Sequence, residues 1–226
     1  MLIKHLIFDL DDTLYPSGKM TKAITQNMIK YVAKFFNVTY EEAVARRKKN
    51  LPMFGSTLEW LMNSGMTDAE DYLFAVHPEN ETENLLPDPE MRQFLLSLEI
   101  PMTVLTNAPM EHAKRVLNFL NIKDLFSSVT DIRDCAFKGK PYPIAFETAL
   151  RRSGGTVGDT LFIDDQIKYI LGYKRLGGIC AHVGSPSYKA SSVPSFLSDA
   201  DAAGGKIFHI DSVYSLPAVL KQIADL

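Results

Sequence analysis

Six polar residues, most of them at the ends of apolar stretches, have the composition of a phosphate site that uses a metal. They are four aspartates, one threonine and one lysine: Asp9, Asp11, Thr106, Lys140, Asp164 and Asp165. Several carboxylates lie close together only beside a counter-charge, and Mg²⁺ prefers a few carboxylates together with water and phosphate oxygens. A lysine can hold a phosphate against a nucleophilic carboxylate, and an aspartate can attack phosphorus to form an aspartyl-phosphate. The set therefore predicts phosphoryl transfer assisted by Mg²⁺.

Alternating strand and helix patterns predict the elements that position these residues. Apolar and β-branched runs predict strands at 2–8, 102–106, 128–130, 160–164, 179–183 and 207–210. Helical patterns fall between them, at 88–98 with Asp88 as the N-cap, at 109–119, 143–152 and 166–176, and a last helix begins near 216. The alternation predicts an α/β fold, a Rossmann-like parallel sheet sandwiched by helices. Because ligands bind at the carboxyl ends of such strands, the six residues are expected to meet at one edge of the sheet.

A helical stretch interrupts this alternation after the first strand. Helices are predicted at 21–36, 56–63 and 67–76, with capping boxes at Thr39 and Ser56, and no strand is predicted between 15 and 87. We therefore expect a core and an inserted helical cap. The predicted division is a core formed by 1–15 and 88–226, and a cap at 16–87. Within the core, 184–205 are rich in small and polar residues and are expected to form a surface excursion.

The composition limits the partners that this chain is expected to have. It has 226 residues, 46% of them hydrophobic and 23% charged, which is typical of a globular protein. A net charge of −3 gives no general attraction to a nucleic-acid polymer or to anionic lipid. Cys135 and Cys180 lack metal-ligand spacing, and no apolar run has the length of a signal peptide or a membrane span. We expect a cytoplasmic protein without a membrane partner, and the sequence leaves its oligomeric state open.

Four segments resemble the signature motifs of the haloacid-dehalogenase superfamily, in the order of that family: IFDLDDTLYP, TVLTNA, GKPYPIAF and LFIDDQ. The resemblance implies that Asp9 is the nucleophile and a metal ligand. It implies that Asp11 is the general acid and base, with its backbone carbonyl on the metal. The remaining implied roles are phosphate binding by Thr106 and Asn107, charge stabilisation and phosphate binding by Lys140, and metal binding by Asp164 and Asp165.

Asp11 also separates two reactions within the superfamily. A halide leaves without a proton, whereas the alkoxide of a phosphate ester needs one, so an aspartate at this position favours phosphoryl transfer over dehalogenation. The fourth motif departs from the family pattern, because Gln166 replaces a serine and Tyr169 replaces an asparagine. This departure puts in doubt the hydrogen bonds that support the metal ligands.

A closer resemblance, to the pyrimidine 5′-nucleotidase-like branch with its helical C1-type cap, extends through the cap: DLDDTLYP, FGSTLEWL, LLPDP and TNAPMEHAKRVLNFL. It implies a nucleoside monophosphate such as UMP or CMP, or another small phosphate ester, as the substrate. Phe54, Gly55 and Trp60 are then expected near the substrate, although Trp60 alone is also typical of a core residue. The alternatives are a sugar phosphomutase, or a non-catalytic binding or regulatory protein on the same fold.

Two further features have ordinary interpretations. The run Arg46-Arg47-Lys48-Lys49 is interpreted as a solvated helix face, with a patch that steers substrate as the alternative. The five histidines share no ligand spacing and are expected to be structural or on the surface.

Overall fold

Six parallel strands form a single sheet in the computed structural model, which describes residues 2–184, 197 and 205–225. The strands are β1 His5–Phe8, β2 Met102–Leu105, β3 Phe126–Thr130, β4 Thr160–Asp164, β5 Ile179–Val183 and β6 Ile207–Ile210. Their order in the sheet is β3-β2-β1-β4-β5-β6. β2 and β3 follow β1 on one side of it, and β4, β5 and β6 then follow on the other side. The switch point between β1 and β4 is where a ligand site is expected in such a sheet.

Helices cover both faces of this sheet, as the alternation predicts. From residue 91 onward the helices are α5 Met91–Ser97, α6 Met110–Phe119, α7 Pro143–Ser153, α8 Ile167–Lys174 and α9 Leu216–Ala224. Successive strand side chains point to opposite faces. Phe8 accordingly belongs to one hydrophobic cluster, with α6 and α9, whereas Ile7 belongs to a second cluster, with α7 and α8. The predicted α/β fold with a parallel sheet and flanking helices is confirmed.

Four helices lie between β1 and α5, in the segment that interrupts the alternation. They are α1 Lys19–Phe36, α2 Tyr40–Asn50, α3 Thr57–Asn63 and α4 Ala69–Val76. Both predicted N-caps form, since the Thr39 side chain accepts from the Glu42 amide at 3.2 Å and Ser56 accepts from the Glu59 amide at 3.1 Å. The boundaries between core and cap stay a prediction.

Some predicted element bounds differ from the observed ones. The first strand begins at His5 rather than at residue 2, and Leu2 is 71% exposed, so it has no place in the buried sheet. α5 begins at Met91, although Asp88 still accepts hydrogen bonds from the amides of Glu90 and Met91. Most of the predicted excursion at 184–205 lies outside the described residues. Within the described part of the chain, no helix is both long and apolar enough to cross a membrane.

Candidate active site

Asp9 and Asp164 come together because of the pairing of the two central strands. Phe8 of β1 is in register with Ile163 of β4, and the Asp9 amide donates to the Ile163 carbonyl at 2.8 Å. Asp9 directly follows β1, and Asp164 is the last residue of β4. Asp164 is fully buried and Asp9 is 7% exposed. The two carboxylates therefore lie at the switch point of the sheet.

Lys140 joins these two carboxylates. Its Nζ lies 2.5 Å from Asp9 Oδ1 and 2.6 Å from Asp164 Oδ2, and the residue is 1% exposed. Burial alone would lower the pKa of Lys140, but the charges of Asp164 and Asp9 outweigh burial, so the pKa is raised and the ammonium stays charged.

Asn107 holds the backbone of Lys140 in place. The Asn107 Oδ1 accepts from the Lys140 amide at 2.7 Å, and its Nδ2 donates to the Lys140 carbonyl at 2.8 Å and to the Tyr169 hydroxyl at 3.2 Å. The Tyr169 ring also lies under Lys140, with Nζ 4.9 Å from the ring centroid. Tyr169, which departs from the family pattern, thus supports the lysine through both its ring and its hydroxyl.

Three carboxylates offer a site for a divalent cation. One oxygen each from Asp9, Asp164 and Asp165 can be chosen so that all lie within 4.8 Å of one another. Burial raises the pKa of Asp164 well above its ordinary value, and burial with the charge of Asp9 raises the pKa of Asp165 to about 7. Three carboxylates share one lysine here, and the raised pKa values, caused first by burial, agree with a negative charge that this lysine does not offset. A hard divalent cation with oxygen ligands therefore fits this set.

Gln166 contacts Asp164, the last residue of β4, and Asp165, which follows it. Its amide donates to Asp164 Oδ1 at 2.7 Å, and its Nε2 donates to Asp165 Oδ2 at 2.5 Å. The doubt raised by the departures at Gln166 and Tyr169 is thereby reduced, because both side chains hold residues of the candidate site.

Thr106 is placed to donate a hydrogen bond into the cavity. It follows β2, its amide donates to the Thr130 carbonyl at 3.0 Å, and its side chain lines the cavity. Its Oγ1 accepts from the Ala108 amide at 3.0 Å. Because this bond uses a lone pair of the oxygen, the hydroxyl proton stays available to a phosphate oxygen.

Asp11 has a buried partner that the sequence does not reveal. His112 on α6 places its Nε2 2.9 Å and 3.0 Å from the two carboxylate oxygens of Asp11, and the Tyr15 hydroxyl donates to the same carboxylate. On the far side of the imidazole, Nδ1 lies 2.9 Å from Glu81 Oε1. His77 and Arg115 contact Glu81 in turn, at 3.3 Å and 2.5 Å.

Asp11 and His112 change each other's pKa. Burial raises the pKa of Asp11, but the His112 charge and the hydrogen bonds from His112 and Tyr15 outweigh burial, and the pKa is lowered. Burial lowers the pKa of His112, but Asp11 and Glu81 outweigh it and raise that pKa to about 10. No motif spacing indicates the contact, because 101 residues separate the two partners.

A cavity of about 340 Å³ opens between the strand ends and helices α1–α4. This volume is at the small end of the range for ligand pockets. Its lining includes Asp9, Asp11, Asp165, Thr106, Asn107 and Lys140. The fold thus brings these six residues, which come from separate parts of the sequence, to one cavity.

The three predicted cap residues are placed differently from one another. Gly55 lines the cavity, and its carbonyl accepts a hydrogen bond from Lys168 at 2.8 Å. Trp60 is 4% exposed, stacks on Phe36 with ring centroids 5.3 Å apart and does not line the cavity. Phe54 packs against the large hydrophobic cluster and is also absent from the lining. The structure therefore places Trp60 in the core of the helical segment.

Comparison with known proteins gives both related sequences and related structures. The chain is 28% identical over 181 residues to "Phosphate metabolism protein 8" of Saccharomyces cerevisiae, covering 72% of this chain but only 56% of that protein. It is 24% identical to "Glyceraldehyde 3-phosphate phosphatase" of Methanopyrus kandleri, covering 83% of this chain and 87% of that one. Among solved structures, a HAD phosphatase from Thermococcus onnurineus has the same fold, with a TM-score of 0.63, 16% identity and coverage of 96% and 98%.

A family profile matches most of the chain. The profile, described as "haloacid dehalogenase-like hydrolase", matches residues 3–177, which include every residue of the candidate site. The chain belongs to the haloacid dehalogenase-like hydrolase family.

Proposed function

We propose that this hydrolase is a Mg²⁺-dependent phosphomonoesterase that works through an aspartyl-phosphate on Asp9. The observation that carries the proposal is the position of the Asp9 carboxylate. Asp9 lines the cavity, forms an acidic cluster with Asp164 and Asp165, and has the Lys140 Nζ 2.5 Å from its Oδ1. The family match and the relatives named as phosphatases support phosphatase activity.

The chemistry of the site residues gives two steps. In the first, an Asp9 oxygen attacks phosphorus, the bond from phosphorus to the leaving oxygen breaks, and Asp11 passes to that oxygen a proton that it takes from the protonated His112. In the second, Asp11 takes a proton from water as the water oxygen attacks phosphorus, the bond from phosphorus to Asp9 breaks, and the proton returns to His112. Lys140 and the Thr106 hydroxyl are placed to offset the charge of the phosphoryl oxygens.

The acidic cluster would hold the cation. Asp9, Asp164 and Asp165 would be its side-chain ligands, and the backbone carbonyl of Asp11 is a further ligand that the family resemblance implies. When bound, Mg²⁺ supplies positive charge at the phosphoryl oxygens. Lys140 bridges Asp9 and Asp164 and so keeps the nucleophile oriented toward the cavity.

The substrate is proposed to be a small phosphate ester. The cavity volume of about 340 Å³ and the glyceraldehyde 3-phosphate phosphatases among the relatives support this size class. A nucleoside monophosphate such as UMP or CMP belongs to the same proposal, on the resemblance to the pyrimidine 5′-nucleotidase-like branch.

Release of inorganic phosphate from a panel of esters tests this proposal. The panel contains UMP, CMP, AMP, pyridoxal phosphate, phosphoglycolate, sugar phosphates and p-nitrophenyl phosphate, each with Mg²⁺ and with EDTA. We expect release of phosphate from at least one ester, dependence on Mg²⁺ and loss of turnover in Asp9→Asn. An isomerised sugar phosphate without free phosphate would instead identify a mutase, and no reaction with any ester would contradict the proposal.

A further inference from the structure

The basic run of α2 divides into two environments. Arg46 forms an ion pair with Glu42, with 2.6 Å between the Arg46 guanidinium and Glu42 Oε1, and its side chain is 41% exposed. Both arginines are half-buried, but of the two only Arg47 lines the cavity that contains Asp9. The solvated face predicted from the sequence therefore does not describe Arg47.

The partners of Arg47 among the described residues are neutral. Its Nε donates to Thr57 Oγ1 at 2.9 Å, and an NH2 group lies 3.7 Å from Met28 Sδ. Within the part of the chain that the structure describes, no carboxylate lies within 4.0 Å of Arg47. Other arginines of this chain do have carboxylate partners: Arg46, Arg92, Arg115, Arg133 and Arg152.

Lys168 adds a second cation to the same cavity wall. Its Nζ donates to the Gly55 carbonyl at 2.8 Å and lies 4.8 Å from the centroid of the Tyr169 ring. The same ring lies 4.9 Å from Lys140 Nζ, so Tyr169 contacts both the lysine of the phosphate site and this second cation. Among the described residues, Lys168 also has no carboxylate partner.

A cation removed from water is stabilised by an anion, and a neutral hydroxyl or thioether replaces that anion poorly. Burial lowers the pKa of Arg47, in agreement with its missing partner. The guanidinium group binds carboxylates and phosphates through two parallel hydrogen bonds, so an anionic ligand group would satisfy it. The cavity thus contains the aspartates of the candidate cation site together with two basic side chains that have no carboxylate partner among the described residues.

We infer that Arg47, assisted by Lys168, binds a second anionic group of the substrate. Among the small phosphate esters proposed above, this favours those that carry a carboxylate or a second phosphate away from the scissile bond over nucleoside monophosphates, which carry neither. The part of this inference that concerns an ester rests on the proposed function. The binding preference for a second anion does not depend on turnover.

Non-hydrolysable phosphonates test the preference without catalysis. Binding to the Mg²⁺-loaded protein is measured by calorimetry for three series with chains of two to five carbons: alkylphosphonates, ω-phosphonocarboxylates and α,ω-bisphosphonates. We expect at least one compound with a second anionic group to bind about tenfold or more tightly than the alkylphosphonate of equal length. The comparison of the phosphonocarboxylates with the bisphosphonates shows whether a carboxylate or a phosphate is preferred.

Substitutions at two neighbouring positions separate the effect of Arg47 from general charge effects. Arg47→Met is expected to reduce the preference to less than about threefold while alkylphosphonate binding stays near its wild-type value. Arg46→Met removes the same charge one residue away and is expected to keep the preference. Arg47→Lys is expected to retain part of it, because a cation remains at the position.

The inference is overturned if no chain length shows a preference for a second anion. It is also overturned if Arg47→Met and Arg46→Met change the preference equally, because the effect is then one of overall charge. The proposed function fails in a different way. If the protein shows the Arg47-dependent preference but hydrolyses no ester, the anion site is supported and the proposed phosphatase activity is contradicted.

Discussion

The carboxylate of Asp11 is held by the imidazole of His112, whose Nε2 lies 2.9 Å and 3.0 Å from its two oxygens. His112 is fully buried, and Glu81 supports it from the opposite side with 2.9 Å between Nδ1 and Oε1. The contact fixes the orientation of the group to which we assign proton transfer. Its loss is expected to affect the steps in which a proton moves more than the binding of phosphate.

The variant His112→Asn is expected to show this selectivity through the leaving group. An alkyl phosphate needs a proton on its leaving oxygen, whereas p-nitrophenolate leaves almost without one. We expect kcat/KM for glycerol phosphate to fall about tenfold to a hundredfold more than kcat/KM for p-nitrophenyl phosphate. Steady-state kinetics on the two esters measure the difference.

The variant His77→Asn is the matched control for this measurement. His77 also contacts Glu81, at 3.3 Å, but forms no hydrogen bond with Asp11. It is expected to reduce kcat/KM for the two esters by similar factors. Equal losses on both esters in His112→Asn as well would show that His112 has only a structural role.

The raised pKa of His112 predicts a pH-dependent stability. The ordinary pKa is 6.5 and the folded value is about 10, so the folded state binds the proton more tightly. The stabilisation is complete below pH 6.5 and is lost as the pH rises from there toward 10. Urea unfolding of the wild type should therefore lose on the order of a few kcal/mol over this range. The same loss in His112→Asn would assign it to other groups.

Removal of one carboxylate tests whether the acidic cluster of Asp9, Asp164 and Asp165 carries excess negative charge. The pKa of Asp165 is raised from 3.8 to about 7, by burial first and by the charge of Asp9 second, so its ionisation costs stability as the pH rises toward 7. In EDTA at pH 8, Asp165→Asn should raise the free energy of unfolding by about 1–2 kcal/mol. Added Mg²⁺ should then stabilise the wild type more than the variant.

Calorimetric melting with EDTA and with Mg²⁺ measures both effects. A variant less stable than the wild type in EDTA would contradict the account of a cluster with excess negative charge. An equal shift by Mg²⁺ in both proteins would exclude Asp165 as a ligand.

Gly55 allows the helical segment to approach the loop that carries Lys140. A Cβ at this position would lie 2.9 Å from Pro141 Cδ and 3.0 Å from a ring carbon of Tyr142. Gly55→Ala must therefore displace one of these two segments, at a cost of about 1–3 kcal/mol in stability and with a reduced kcat/KM. Gly158→Ala is the control, because no described residue other than its chain neighbours has an atom within 4 Å of the added Cβ. Unchanged kinetics in Gly55→Ala would show that the contact does not position Lys140.

Local pattern was sufficient to predict the parts of the site that lie at strand ends. The buried runs that precede Asp9 and Asp164 end in charged residues, and the parallel order of the strands then brings those residues together. Helical periodicity could not show which arginine of the α2 run faces the cavity. That choice depends on how α2 packs against its neighbours, and Arg46 and Arg47 differ by one position.

Long-range contacts between polar side chains were also beyond the sequence. His112 lies on a helix whose apolar face alone accounts for its position, and nothing local connects it to Asp11 or Glu81. For Trp60, a sequence motif suggested a contact that the structure does not have. The resemblance to a cap motif predicts Trp60 near the substrate, whereas its ring packs against Phe36 in the core.

Direct detection of a phosphoryl group on Asp9 is the sharpest test of the proposed mechanism. The wild type with Mg²⁺ and its best ester is quenched in acid within the first turnovers, digested and analysed by mass spectrometry. The account predicts one phosphoryl group on the peptide that contains Asp9, lost on longer incubation and absent in Asp9→Asn. Rapid turnover with no acid-stable phosphoryl peptide, or full turnover by Asp9→Asn, would contradict it.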